Sequence, residues 1–255
     1  MIEPNAIILK KQTVELDCLK SDISAYNFIQ ISDLHFTGKT SQKKINNLSE
    51  KIKNQNPTAV FITGDLISNN NGIDNIISFI NQISKDYSVF ITFGNWDYWS
   101  LNYDINEFKN KLELSGAKVL INDHIELAIN NKILNIIGIK DPYTSNNIDQ
   151  DLTKALKLIK NNNCNILLAH SPDIIKKASQ NNINFILTGH THGGQIYVPY
   201  LTKKIIPSNP DGEGFIKGLY NQNKTQMYVN RGIGTSVLPF RFLNSPEITL
   251  INFQN

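Results

Sequence analysis

Cysteine is scarce in this chain of 255 residues: Cys18 and Cys164 are its two, and neither stands in a pair with metal-ligand or redox spacing. That excludes a thiolate metal site or a dithiol motif written in local sequence, and both read as buried thiols of a reducing compartment. Charge of one sign is lacking too. Lys and Arg number 25 against 22 Asp and Glu, a formal charge of +3 spread without runs, so no nucleic-acid partner is expected. Long apolar runs are also missing. The opening MIEPNAIILKKQTVELD mixes acidic and basic residues too early for a signal peptide or a spanning helix, and the chain reads as soluble and cytoplasmic. No linker, repeat or break in composition divides it, which predicts one domain over 1–255. A hydrophobic content of 40% suffices for a large core and excludes a disordered protein. Asn-rich tracts at 69–71 and 161–163 read as loops and helix ends.

Five short apolar runs stand out: NFIQIS (27–32), AVFIT (59–63), SVFITF (88–93), NILLA (165–169) and NFILT (184–188). Their length and their Ile, Val, Phe and Leu content predict strands buried on both faces. Helical spacing fills the gaps at 42–54, 73–85, 105–114, 151–160 and 173–180, so strand and helix alternate and a mainly parallel sheet follows. The stretches KVLIN (118–122), IELAI (125–129) and ILNIIGI (133–139) lack intervening helices and read as antiparallel hairpins, as do QIYV, GFIKGLY, TQMYVN and EITLINF. The hairpins predict a second sheet packed on the first, with helices outside both.

Each of the five runs is followed at once by groups able to bind metal: Asp33 and His35, Asp65, Asn95, His170, then His190 and His192 within GHTHGGQ. Residues at the carboxyl ends of strands in an open α/β sheet converge on one crevice. Seven nitrogen and oxygen ligands would meet there, taking four of the five histidines and leaving His124 outside. A set of Asp, Asn and His without thiolate suits Mn²⁺, Fe²⁺ or Zn²⁺ with open positions for water. Asp-x-His or Gly-Asp alone is an ordinary turn, whereas two imidazoles two residues apart in a glycine-rich turn have few structural uses.

In these motifs, DxH, GD, GNxD, a later His and GHTH, the chain resembles the calcineurin-like metallophosphoesterase superfamily; GHTHGGQ, RGIGT (231–235) and the IEP opening (2–4) look like its YkuE and YaeI branch. The resemblance implies a four-layer α-β-β-α sandwich of two mixed sheets flanked by helices. It implies two divalent metal ions, with Asp33, His35 and His192 on one, Asn95, His170 and His190 on the other, and Asp65 between them. It further implies a phosphohydrolase in which a metal-bridging hydroxide attacks a phosphodiester or pyrophosphate in line, with Asp65, Asn95 and His170 at the reacting centre. Arg231 is a candidate phosphate clamp, with a plain salt bridge as the alternative.

One position departs from the family pattern. Where relatives carry Gly-Asn-His-Asp, this chain has Gly94-Asn95-Trp96-Asp97, and an indole has no proton to give a leaving oxygen. That loss matters for a basic alkoxide and hardly for a leaving phosphate, which favours a pyrophosphate or an activated ester. By analogy with relatives lacking the same His, a nucleotide-sugar lipid precursor of the UDP-diacylglucosamine kind is the expected substrate, with Trp96 beside it. A catalytically weakened scaffold of the same fold and a general phosphodiesterase are the alternatives. The segment VPYLTKKIIPSNPDGEG (198–214) sets Tyr200, Leu201, Ile205 and Ile206 around Lys203 and Lys204, a mixture suited to peripheral contact with the inner face of a membrane. Its alternative is a loop packed on the second sheet.

Overall fold

The computed structural model describes residues 6–19, 26–101, 104–130, 132–159, 163–196, 214–236 and 238–254. Two six-stranded sheets lie face to face. The first contains β1 (Ile8–Glu15), β2 (Asn27–Ile31), β3 (Ala59–Thr63), β4 (Ser88–Thr92) and β5 (Ala117–Val119). The second contains β6 (Asp123–Ile129), β7 (Lys132–Gly138), β8 (Cys164–Leu168), β9 (Phe185–Thr188), β10 (Gly218–Gln222) and β11 (Thr225–Val229). The last strand, β12 (Glu247–Gln254), returns to the first sheet, parallel to β1 and antiparallel to β2. The orders are β1-β12-β2-β3-β4-β5 and β10-β11-β9-β8-β7-β6, and both sheets are mixed.

Strand alternation builds the layers. Phe28, Phe61 and Phe90 of the first sheet point inward onto Ile166, Leu168, Phe185 and Leu187 of the second. Their neighbours Ile29, Val60, Ile62, Val89 and Ile91 point outward onto α1 (Gln42–Lys53), α2 (Ile73–Ile83) and α4 (Ile105–Leu114), while α3 (Asn95–Trp99) is a short helix after β4. On the far side Ile137, Leu167 and Ile186 meet α5 (Ile148–Ala155) and α6 (Ile175–Ser179). Helix α1 starts where Ser41 accepts a hydrogen bond from Lys44 N, and it buries Ile45, Leu48 and Ile52, the i, i+3, i+7 stripe of an amphipathic helix.

Three expectations are corrected. The five apolar runs do not share a sheet: β2, β3 and β4 belong to the first, β8 and β9 to the second. Burial on both faces is required of either sheet in a four-layer sandwich, so composition says nothing of which one a strand joins. KVLIN is not a hairpin arm, because β5 pairs in parallel with β4 as its edge, and neither is EITLINF, whose strand β12 lies between β1 and β2 of the first sheet. The cysteines are not free thiols. Cys18, just after β1, is bonded to Cys164, the first residue of β8, with Cα atoms 5.3 Å apart. The bond ties the two sheets together at the end opposite the strands' carboxyl ends, and no local motif announces it because its partners are 146 residues apart. Of the segment 198–214, residues 198–213 lie outside the described residues.

Candidate metal centre

The loops that follow β2, β3, β4, β8 and β9 meet above the carboxyl edges of the two sheets. Hydrogen bonds join the sheets there: Gln30 Nε2 donates to Thr188 O at 2.9 Å and Thr92 Oγ1 to Ile139 O at 2.7 Å. The loops are tight. Asp33, His35, Asp65, His190 and His192 all have positive φ, a left-handed conformation that costs a non-glycine residue energy and concentrates at functional sites. Gly189 permits the approach of two loops, since a Cβ there would overlap Ser32 Oγ and Asp33 Oδ2.

The seven expected ligands come together. Asp33, His35, Asp65 and His192 are buried, with donor atoms all within 4.8 Å of one another. His35 Nε2 lies 3.0 Å from His192 Nε2, which is 3.4 Å from Asp33 Oδ1. Beside them, His190 Nδ1 is 3.1 Å from Asn95 Oδ1 and 3.2 Å from His170 Nε2. Asp65 joins the two groups: its Oδ2 is 3.4 Å from His35 Nε2 and 3.2 Å from His170 Nε2. Their orientations are fixed from behind. His170 Nδ1 lies 2.8 Å from Thr63 O and His35 Nδ1 3.1 Å from Ser68 Oγ, contacts that aim each Nε2 at the centre. Such a set of oxygens and imidazole nitrogens without sulfur fits hard or borderline divalent cations.

Burial and mutual charge set the protonation states. Burial pushes Asp65 up, but His170 and His35 outweigh it and hold the carboxyl well below the usual range. His170 is the counterpart: burial pushes it down, while Asp65, Asp33 and Asp141 drive it well above the histidine range. Burial and His170 depress His190 to about 4, and burial, His35 and Arg241 depress His192.

Arg231 points its Nε at Glu247 Oε2, 3.0 Å away, so a buried carboxylate engages the expected phosphate clamp. Trp96 stands edge-on to His35, ring centroids 5.6 Å apart, and its backbone N–H donates to Asp65 Oδ1 at 2.9 Å. Four residues in the surroundings escaped the sequence reading. Asp97 accepts from Gly94 N and Leu66 N at 3.0 and 2.8 Å and ties two ligand loops together; burial and Asp65 raise it to about 8. Arg241, 2% exposed, donates to Gly234 O and to the carbonyl of His192. Asp141 is fully buried, pushed up to about 6 by burial against the pull of His170, and Tyr143 packs on His190. The signal for the last two was available: Asp141 follows an apolar strand, as the ligands do, but that strand read as half of a hairpin.

Comparison with known proteins agrees with this geometry. The family model for the calcineurin-like phosphoesterases matches residues 26–194. The uncharacterised metallophosphoesterase YkuE of Bacillus subtilis (strain 168) is 28% identical over all of this chain and 88% of its own length. YkoQ of the same organism, also an uncharacterised metallophosphoesterase, is 29% identical over 88% of this chain and 82% of its own length. Among solved structures, TT1561 of Thermus thermophilus superposes with a TM-score of 0.54 over 82% of this chain and 90% of that one, at 10% identity, a likeness of fold.

Proposed function

Since the chain belongs to the calcineurin-like phosphoesterase family, we propose that it hydrolyses a phosphodiester or pyrophosphate with an activated leaving group, using two divalent cations. The observation that carries the reading is Asp65, whose Oδ2 faces His35 of one group of ligands and His170 of the other. Asp33, His35 and His192 would hold one cation, Asn95, His170 and His190 the second, and Asp65 both. Mn²⁺, Fe²⁺ and Zn²⁺ all suit these donors. When bound, such a pair supplies positive charge against the phosphoryl oxygens and an acidified water. The chain's own residues do the rest. Asp97 holds the two loops bearing Asp65 and Asn95 in register, and the contacts of His170 with Thr63 O and of His35 with Ser68 Oγ keep each ring's Nε2 turned inward. Trp96 has no proton to donate, so the leaving oxygen departs unassisted, which favours a leaving phosphate over an alkoxide.

A nucleotide-sugar lipid precursor of the UDP-diacylglucosamine kind meets that requirement. In support, Leu238, Phe240, Phe242 and Leu243 are exposed on a segment held against the GHTHGGQ turn, where Gln195 Nε2 donates to Leu238 O at 2.7 Å. Peripheral membrane contact through 198–214, next to that turn in sequence, belongs to the same proposal. No helix among the described residues is long and apolar enough to cross a membrane. A cytoplasmic location at the inner face fits that substrate, whereas the Cys18–Cys164 bond supports an oxidising compartment; thiol labelling of the protein as isolated from cells separates the two. The function is tested by loading the protein with Mn²⁺ and assaying bis-p-nitrophenyl phosphate, UDP-linked pyrophosphates and phosphopeptides. Hydrolysis of pyrophosphates ahead of the others supports the reading. A metal-loaded protein inert on all of them makes it the scaffold.

A further inference from the structure

Tyr143 has no part in the chemistry above, yet it is placed with care. The turn that carries it is closed by its own Asp141, whose Oδ2 accepts from Tyr143 N at 3.0 Å and whose carbonyl accepts from Thr144 N and Ser145 N at 3.0 and 2.9 Å. At the far end of the side chain the phenol donates to Asp173 Oδ2 at 3.2 Å. Between these anchors the ring lies on the imidazole of His190, centroids 4.8 Å apart and planes 30° apart. The ring is thus fixed at both ends and stacked on a residue that faces Asn95 and His170. Even so, half of Tyr143 is exposed, 50% of its surface.

We propose that the exposed side of Tyr143 is a stacking platform for the nucleobase of a nucleotidyl phosphate ester whose phosphate sits at the metal centre. The proposal rests on the phosphohydrolase reading and adds a subsite to it. An aromatic ring held flat beside a phosphate-binding site offers a π-face to any base, an interaction that tolerates base identity. The surroundings choose between a base and an acyl chain. Asp141, Thr144, Ser145 and Asp173 surround Tyr143, polar neighbours that suit a nucleoside with its hydroxyls and not an alkyl tail. Trp96 stands against His35 of the other group of candidate ligands, whereas Tyr143 lies on His190.

The test compares two esters that share a leaving group, thymidine 5′-(p-nitrophenyl phosphate) and methyl p-nitrophenyl phosphate, on Mn²⁺-loaded protein. Loss of one base stack corresponds to about 5–150-fold. Tyr143→Ala is therefore expected to lower kcat/KM by that factor on the thymidine ester, mainly through KM, and to leave the methyl ester nearly unchanged. Tyr143→Phe keeps the ring and should preserve both. Calorimetric binding of UMP should weaken in Tyr143→Ala while binding of inorganic phosphate stays the same. Equal loss on both esters would overturn the proposal by assigning Tyr143 to holding His190, and so would no loss on either. If the wild type cleaves neither ester, the hydrolase reading fails, and the UMP arm alone then decides the platform: tighter binding that depends on Tyr143 upholds it, and no such dependence overturns it.

Discussion

Replacing Asp65 by Ala removes the oxygen that faces both His35 and His170, and because it lies in a loop above the core the fold should survive. Residues that merely support a metal ligand are worth about 10–100-fold, so loss of a shared ligand should cost more than about hundredfold in turnover. Asn95→Ala should cost less than Asp65→Ala. Turnover together with metal content and circular dichroism checks both; activity retained with both metals bound would contradict the ligand assignment. At Trp96 the direction reverses. Trp96→His restores an acid at the motif position and should raise turnover of diesters with poor leaving groups by up to about 10²–10⁴-fold, with little gain on pyrophosphates. A gain that does not grow with leaving-group pKa would show that the position is not that of the acid. The protonation pattern gives a third expectation. The folded pKa values of His170 and Asp97 lie above their ordinary ones, so these two groups hold protons in the metal-free fold that they have shed in the unfolded chain, and the stability they lend is lost as pH rises through the folded values. Metal-free protein should therefore melt lower at about pH 9 than at about pH 6.5, and cation binding, which displaces the His170 proton, should tighten as pH rises. Calorimetry in buffers of different ionisation enthalpy reads the released proton.

At the scale of elements, the buried Arg241 helps to tie Gly234 and Asn244 to the turn that carries His192. Arg241→Met would leave the carbonyl of Gly234 without its donor, at about 1–3 kcal/mol for a buried group orphaned, while His192 O keeps Asn244 Nδ2 and Gln195 N as donors. Urea denaturation should show the loss, and a weaker cation site at His192 should accompany it. An unchanged midpoint would mean that water replaces the guanidinium. Sequence patterns located most elements well. The apolar runs at 27–32, 59–63 and 88–93 became β2, β3 and β4, and α4 spans the residues its spacing predicts. Misses arose where local chemistry overrode periodicity. Helix α5 begins at Ile148 and not at 151, because Asn147 caps it by accepting from Gln150 N. The short helix α3 was hidden because its polar residues carry the site and its burial is one turn long. Strand β1 shows four exposed residues at its start, Lys10 and Lys11 among them, the signature of a protected edge and not of a core run.

For the whole molecule, the four layers followed from the pattern of runs and hairpins and from the family resemblance, while the sorting of strands between the sheets did not follow from composition. The candidate ligands were legible because they follow apolar strands; Asp97 was legible as the last residue of its motif but not for the loops it joins, and Arg241 was not legible, because its partners are set by tertiary packing. The disulfide is the architectural element with the plainest consequence. It links residues 146 positions apart and joins the two sheets, so its removal should cost about 2–5 kcal/mol, visible as a lower urea midpoint on reduction or in Cys164→Ser. Because the bond lies at the opposite end of the strands, metal content should not change. The proposed two-cation centre around Asp65 is tested most directly by titrating metal-free protein with Mn²⁺, read as bound equivalents together with hydrolysis of bis-p-nitrophenyl phosphate. Two equivalents per chain are expected, with hydrolysis appearing at the second and both effects lost in Asp65→Ala. Saturation at a single equivalent, or full hydrolysis without bound metal, would contradict it.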